Sequence, residues 1–184
     1  MIFPTGIGAR KDPLLGCNFQ VSLLDSTSTL GGLISTGLSV LGASPSAGFS
    51  ECTGLDGSLD TEDYEEGGNN AFVHKFRKHM RWTNIVLKRG VGRDDRLWDW
   101  FFAYTKGKGQ RRNGLITLLD GAGERRKTWG FRDGLPVRYV GPSLKADQST
   151  VAIESIEIAH HGLYQLPGGD GIAGAAASAL DAIF

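Results

Sequence analysis

The sequence predicts a mainly β fold, a barrel or sandwich with one α-helix packed on its sheets. Short apolar runs alternate along the chain with Gly, Asp and Asn, the residues that commonly separate strands. One segment instead places its aromatic residues at helical spacing. The chain has 184 residues, 40% of them hydrophobic, which is enough for one domain with a buried core.

Six segments alternate in the manner of strands, and the first two are the plainest. Phe19, Val21 and Leu23 share one face of the first segment. Ile85 and Leu87 share one face of the second. The predicted strands are 18–25, 83–90, the first part of 113–124, 127–133, 135–141 and 149–162.

The last predicted strand changes phase along its length. Val151 and Ile153 share one phase, whereas Ile156 and Ile158 share the other. Such a change predicts a bulge or bend inside the strand. Barrels and sandwiches use bends of this kind to turn corners, so the pattern agrees with the predicted fold class.

Residues 92–109 predict the single internal helix. Asp94 and Asp95 are placed to cap its start, and Lys106 and Gly107 are placed to end it. A helix this aromatic must pack on the sheets. Trp98 and Phe101 are assigned to the core, while the position of Trp100 is left open. The residues at helical spacing are Leu97, Trp98, Phe101, Phe102 and Tyr104.

Two segments look like additions to a domain formed by residues 1–165. Residues 26–48, rich in Ser, Gly, Thr and Leu, are too long for an ordinary hairpin loop. Residues 166–184 begin with a Pro-Gly-Gly hinge and then place Ile172, Ala176, Leu180 and Ile183 on one side of a short helix. This tail either docks on its own body or on a neighbour, or it is a frayed terminus.

Composition and charge exclude several classes of function. The formal net charge is zero, from 20 basic and 20 acidic residues, which argues against a protein held mainly by nucleic-acid phosphates. Cys17 and Cys52 lack zinc-site spacing and are expected to be buried, reduced thiols, although a disulfide stays open. No apolar run predicts a membrane span or a signal peptide, so the expected location is the cytoplasm of the producing cell.

No segment makes a persuasive active site. Residues 48–52, Gly-Phe-Ser-Glu-Cys, match a nucleophile elbow only until the last position, and no helix is predicted after them. Ser50 is therefore not expected to be a nucleophile. His160 and His161 are adjacent in a strand and face opposite ways, so they are poor ligands for one metal ion. We expect no enzyme activity, no cofactor and no metal site.

Two basic clusters keep a nucleic-acid-binding β-barrel open as an alternative. Their usual interpretation is a solvated loop or an interface, because no aromatic stacking platform lies between them. Salt-sensitive binding to DNA or RNA would distinguish the alternatives. The residues concerned are Arg111, Arg112, Arg125, Arg126 and Lys127.

An ordered set of motifs resembles the tail-tube family of contractile bacteriophages, and most of all the inner-tube proteins of phage-tail-like contractile injection systems. The motifs are GFSECTGL, YEEGGNN, VLKRG, LWDW and VAIESIEIAHHGL, in this order within residues 12–163. The resemblance implies a barrel of two sheets with one outer helix, forming rings of six that stack into a hollow tube inside a sheath. The family is also similar to the tube protein of type VI secretion.

The resemblance also implies that residues 56–80 form an extended β-hairpin that contacts neighbouring subunits and the next ring. Its first arm is acidic and its second arm basic, so unlike faces meet in a head-to-tail stack, or the two arms neutralise each other. The candidate contact residues are Asp60, Glu62, Asp63, Glu65, Glu66, Gly67, Gly68, Asn69, Asn70, Phe72, His74, Lys75, Phe76, Arg77 and Lys78.

Both additions depart from the family pattern and keep a related function open, that of a tube-initiator ring joining the tube to the spike or baseplate. The expected partners are copies of the same chain, a sheath protein and spike or baseplate proteins, with nucleic acid only as cargo in the lumen. The candidate spike or baseplate contacts are Leu33, Ile34, Leu38, Val40, Leu41, Ile172, Leu180 and Ile183.

Overall fold

A computed structural model describes residues 13–25, 48–68 and 71–166, which form nine strands and one helix. The predicted mainly β fold with one helix is confirmed. The elements are β1 Phe19–Asp25, β2 Glu51–Thr53, β3 Gly57–Tyr64, β4 His74–Trp82, β5 Ile85–Gly90, α1 Arg96–Ala103, β6 Arg112–Leu119, β7 Arg125–Val140, β8 Ile153–Ala159 and β9 Leu163–Leu166.

The strands of the body are all antiparallel and lie in the order β1-β6-β7-β8-β5-β2, with β9 paired to β7. The first half of β7 pairs with β6 and β9, and its second half pairs with β8. We call β1, β6, the first half of β7 and β9 the first sheet. The second half of β7, β8, β5 and β2 form the second sheet.

The prediction of separate strands at 127–133 and 135–141 is wrong, because both belong to the 16-residue strand β7. The two predicted strands are separated only by Gly134. Asp133 does have a positive φ of 53°, but the chain bends there and continues from one sheet into the other.

The bulge predicted within 149–162 is also misplaced. Val151 precedes β8 and is exposed, so it sets no phase in the strand. Strand β8 pairs with β5 in unbroken register, and Ile156 and Ile158 point into the core. The register shift lies on β7, between Pro136 and Arg138. The corner is therefore formed by the shared strand.

The core lies between the two sheets. Ile85 and Leu87 are completely buried, as their alternation predicted, and Ile156 and Ile158 pair with them across β5 and β8. Val21 packs in the same cluster from the first sheet. The other buried members of the cluster are Leu97, Trp100, Ile116 and Phe131.

Helix α1 is shorter than the predicted segment and has well-defined ends. The Asp94 carboxylate accepts a hydrogen bond from the backbone N–H of Arg96 at 3.1 Å, whereas Asp95 makes no side-chain cap. Beyond the helix, Gly107 has a φ of 67°, a conformation that favours glycine, and the Lys108 N–H donates to the Ala103 carbonyl.

The core assignment of the helix aromatics needs correction. Trp100 is buried, and its indole N–H donates to the Gln110 carbonyl at 2.8 Å. Trp98 is 42% exposed and stacks on Phe102, with ring centroids 3.8 Å apart. Phe101 is half-buried. The assignment of Trp98 to the core is wrong, because Leu97 and Trp100 form the face that meets the sheets.

Both cysteines carry free thiols, so no disulfide joins them. Cys52 is half-buried opposite Leu87, and burial raises the pKa of its thiol to about 11. Cys17 is exposed, which contradicts the prediction that both thiols are buried.

Candidate assembly surface: the β3–β4 hairpin

Strands β3 and β4 form a two-stranded sheet of their own, and nearly all of their residues are exposed. The register runs from Gly57 opposite Trp82 to Tyr64 opposite His74. At the tip, Gly68 has a φ of 97°, a conformation that favours glycine. The extended hairpin expected over residues 56–80 is therefore confirmed.

The base of the hairpin is held by the end of β8 and the turn after it. The Asn84 amide donates to the Glu157 carboxylate at 2.7 Å. One ring nitrogen of His160 lies 3.1 Å from the Thr83 carbonyl, and the other accepts from the Gly162 N–H at 3.2 Å. These bonds fix the point from which the hairpin projects.

One face of the hairpin carries an exposed aromatic cluster near its tip. Strand pairing places Glu62 with Phe76 and Tyr64 with His74 on this face. Tyr64 and Phe76 meet edge-to-face at 5.9 Å, and Phe72 meets the His74 ring at 5.0 Å. Phe72, Phe76 and Tyr64 are each more than half exposed. Exposed aromatic clusters of this kind are typical of protein–protein contact sites.

Ion pairs join the acidic and basic arms. Lys75 contacts Asp63 at 2.7 Å, Lys78 contacts Glu62 at 3.0 Å, and His74 contacts Glu66 at 3.3 Å. Arg81 pairs with Asp60. These pairs are exposed and each contributes less than about 1 kcal/mol. The arms therefore neutralise each other within one chain, one of the two interpretations that the sequence left open.

Among the Asp, Glu, Lys and Arg side chains from Gly57 to Trp82, two escape this pairing. Glu65 and Arg77 make no ion pair with any other residue in the described ranges. Glu65 lies beside the turn, and Arg77 lies opposite Thr61 in the strand register. They are the charges that the hairpin can offer to another molecule.

The structure brings most of the predicted contact residues together on the hairpin. Asn69 and Asn70 lie outside the described residues. The candidate spike or baseplate contacts lie outside them too, namely Leu33, Ile34, Leu38, Val40, Leu41, Ile172, Leu180 and Ile183.

Sequence reasoning missed three exposed side chains of this surface. Tyr64 belongs to the aromatic cluster, and Leu59 and Met80 face each other on the opposite face of the hairpin. The sequence does indicate these residues, because a large apolar side chain in a strongly charged hairpin has no core of its own to enter.

The basic residues of the nucleic-acid alternative do not form one surface. Arg111 and Arg112 stand at the start of β6, whereas Arg125 and Arg126 follow its end, about 23 Å further along the strand. Arg126 binds the Asp120 carboxylate at 2.7 Å. Hydrogen bonds from the Glu124 N–H, and then from Arg126, hold the pKa of Asp120 below its usual range.

The deepest charged group of the body lies away from the hairpin. Arg89 and Glu154 are both buried, and the Arg89 Nε donates to the carboxylate at 2.5 Å. Arg89 also donates to the Asp94 carbonyl ahead of α1, and the Tyr139 hydroxyl donates to Glu154 at 2.5 Å. Burial, and next its bond to Glu154, raise the pKa of Tyr139 to about 12. This cluster joins β5, β8, β7 and the start of the helix.

Among residues 13–25, 48–68 and 71–166, no group of three or more His, Cys, Asp or Glu side chains is arranged around a common metal position. In that part of the chain, no helix has the length and apolar character needed to cross a membrane.

These features define a β-rich structural subunit whose most exposed element is a hairpin with an aromatic cluster. The chain belongs to the T4-like virus tail tube protein gp19 family, whose model matches residues 15–164. It is a tail-tube protein, and the proteins of this family are structural components of tubes. A search of curated proteins finds no match.

Solved structures of contractile injection systems share the fold. A chain in the baseplate of the anti-feeding prophage has a TM-score of 0.71 at 23% identity, over 86% of this chain and 98% of the other. A chain in the PVC sheath–tube complex has a TM-score of 0.67 at 24% identity, over 84% and 92%. A chain in the cap of the anti-feeding prophage tube has a TM-score of 0.70 at 22% identity, over 87% and 95%.

Proposed function

We propose that this tail-tube protein assembles into rings of six that stack into a hollow tube inside a contractile sheath, and that the hairpin joins one subunit to the next. The observation that carries the proposal is the hairpin itself. It forms a separate two-stranded sheet with large apolar side chains exposed on both faces. An isolated hairpin is only marginally stable in water, so a partner surface that covers it gains stability for both molecules.

The aromatic cluster supplies the apolar part of this contact. Covering Tyr64, Phe72 and Phe76 removes side chains that are more than half exposed in the single chain. Aromatic residues in such positions contribute most of the binding energy at protein interfaces. The contact joins two different patches of identical chains, and this heterologous geometry produces open-ended stacks.

Charge sets the register of the contact. Because the other hairpin charges pair within the chain, Glu65 and Arg77 are the groups that a neighbouring subunit meets uncompensated. Opposite charges on the neighbour fix partner and orientation more than they add affinity. This assignment replaces the broader idea of one wholly acidic and one wholly basic flank.

Free sheet edges support ring formation. Strands β1 and β2 end the sheet path, and each pairs on one side only within the described residues. An unpaired edge is a template for a strand of another chain. If each subunit pairs its edge strands with those of its two neighbours, a closed ring leaves no edge strand unpaired.

The proposed partners follow from the likeness to assembled particles. The similar chains come from a baseplate, a sheath–tube complex and a tube cap. We propose a sheath protein and baseplate proteins as the partners of this chain, and assembly in the cytoplasm of the producing cell. The bulk-tube role is preferred to the initiator role, since the family match lies within the body, from residue 15 to 164.

Electron microscopy of the purified full chain across a concentration series tests this function. We expect rings with six-fold symmetry and an open centre, and stacked tubes at higher concentration. A variant with Tyr64→Ser, Phe72→Ser and Phe76→Ser should keep its circular dichroism spectrum and lose the tubes. Lys78→Ala is the matched control on the same hairpin, because it removes only an exposed ion pair.

Two results would overturn the proposal. If the wild-type chain stays monomeric at every concentration, it does not assemble by itself and the proposal is wrong. Tubes formed by the triple serine variant as readily as by the wild type would remove the hairpin from the contact.

A further inference from the structure

The first sheet has a second buried apolar cluster on the face that points away from the core. Leu24, Leu115 and Leu166 form it, and Tyr164 packs against it. Strand register separates it from the core. Val21 and Ile116 are paired and belong to the core, so the neighbouring pair Ser22 and Leu115 must face the other way.

The polar members of this outer face are buried as well. Thr117 pairs with Thr128, and Thr128 pairs with Leu166, so all three stand in one row across the sheet. The two threonine hydroxyls bond each other at 3.2 Å. Thr117 and Thr128 are only 8% and 7% exposed, and Leu24, Leu115 and Leu166 are 7%, 5% and 9% exposed.

Such burial needs a cover. Within residues 13–25, 48–68 and 71–166, every member of the cluster comes from β1, β6 or β9 of the same sheet. Neighbours on one face of a sheet shield each other only at their sides. The Tyr164 ring covers Gly130, where an added Cβ would overlap it, but one ring cannot cover four strands. The described part of the sheet therefore supplies only part of the cover.

The path of the chain identifies that cover. Leu166 is the last described residue before the C-terminal segment 167–184, and it lies inside the cluster. The segment places Ile172, Leu180 and Ile183 on one side of a helix. We propose that residues 167–184 fold back and dock this apolar side on the outer face of the first sheet.

The dimensions agree with this docking. The four strands of the first sheet span about 14 Å across their three spacings. Fifteen residues follow the Pro-Gly-Gly hinge, and as a helix they would reach about 22 Å, enough to cross the sheet from β9 to β1. The segment contains two acidic residues and no basic residue, so most of its length is free of charge.

The proposal goes beyond tube assembly and is tested on the single chain. Hydrogen exchange, read by mass spectrometry on monomer, compares the full chain with a chain ending at Leu166. We expect the truncated chain to exchange at least roughly tenfold faster in β1, β6 and β9, and unchanged in β5 and β8. Its binding of a hydrophobic dye should rise at the same time.

Point variants keep the test valid if the truncated chain does not fold. Leu180→Asp places a charge on the docking side and should reproduce the faster exchange. Ser178→Asp is the matched control, because it places the same charge on the opposite side of the helix.

Three results would overturn the inference. Unchanged exchange after truncation means that another segment covers the face, and faster exchange in Leu33→Asp would identify residues 26–47 as that segment. Protection that disappears when the wild-type chain is diluted to monomer means that a second copy supplies the cover. Faster exchange in Ser178→Asp equal to that in Leu180→Asp means that no particular side of the helix docks.

Discussion

Glu154→Gln removes the negative charge from the buried pair and tests how much the cluster stabilises the body. The carboxylate is almost fully buried, 2.5 Å from Arg89 Nε and 2.5 Å from the Tyr139 hydroxyl. The amide leaves Arg89 as a buried cation without a counter-charge. Breaking a buried pair in this way costs about 3–5 kcal/mol of unfolding free energy. For a chain of this length that lowers Tm by about 6–20 °C.

A matched control lies one position away along the same strand. Lys88 pairs with Glu51 at 2.9 Å on the outer face of β5, where both side chains are exposed. Glu51→Gln makes the same chemical change and should cost less than about 1 kcal/mol. The difference in unfolding free energy between the two Glu→Gln variants isolates the effect of burial.

Urea unfolding of monomeric protein, followed by circular dichroism, measures both variants. The double variant Arg89→Met with Glu154→Leu should recover most of the loss, because apolar side chains of similar size need no counter-charge. If Glu154→Gln costs no more than Glu51→Gln, water screens the buried pair and the reasoning is refuted.

Three further outcomes are expected from single substitutions. Trp100→Ala should lower the free energy of unfolding by about 3–5 kcal/mol, because the Trp100 indole is buried. Trp98 is 42% exposed, so Trp98→Ala should cost about half of that or less. Equal losses in urea unfolding would contradict this. Gly114→Ala should cost about 1–3 kcal/mol, since the new methyl overlaps a core ring, whereas Gly121→Ala meets open space and should change Tm little. Because burial raises the pKa of the Cys52 thiol to about 11 from its usual 9.0, the unfolded chain loses this proton first and stability should fall as pH rises from 9 to 11. Cys52→Ala should remove that part of the fall, and an unchanged pH profile of Tm would exclude the thiol as its source.

The sequence predicted the strands whose side chains alternate between core and solvent. Ile85 and Leu87 illustrate this, because one face of β5 meets the core and the other does not. Continuity across β7 was harder to predict. An Asp-Gly pair is a common turn signal, and only the pairing partners β6 and β8 show that the strand bends there and continues.

The face of the helix could not be predicted from spacing alone. Trp98 and Trp100 both lie in a segment that is aromatic on most of its circumference, so the periodicity selects no single side. The two ends were predicted better, because Asp94 and Gly107 act through local backbone geometry.

The hairpin was predicted, but its ion pairs were not. Which acidic residue meets which basic residue depends on the register, and the register shifts between Leu59 and Thr61. Composition shows two charged arms, whereas only the pairing shows that Glu65 and Arg77 are left over. The second cluster was not predicted either, since strands of a single-core sandwich are expected to bury one face.

Strand β7 has a consequence for when the protein folds. Strand β1 has no partner until β6 has been made, with Val21 opposite Ile116. Strand β5 is linked to the second half of β7 through β8, which ends at Ala159. Pairings this distant in sequence form slowly. During synthesis β1 therefore waits for β6, and β5 waits with one side unpaired until β8 has been made, so the core can close only after β8. Until then the apolar side chains of β1 and β5 have no complete core to enter, so the incomplete chain exposes surface that can aggregate.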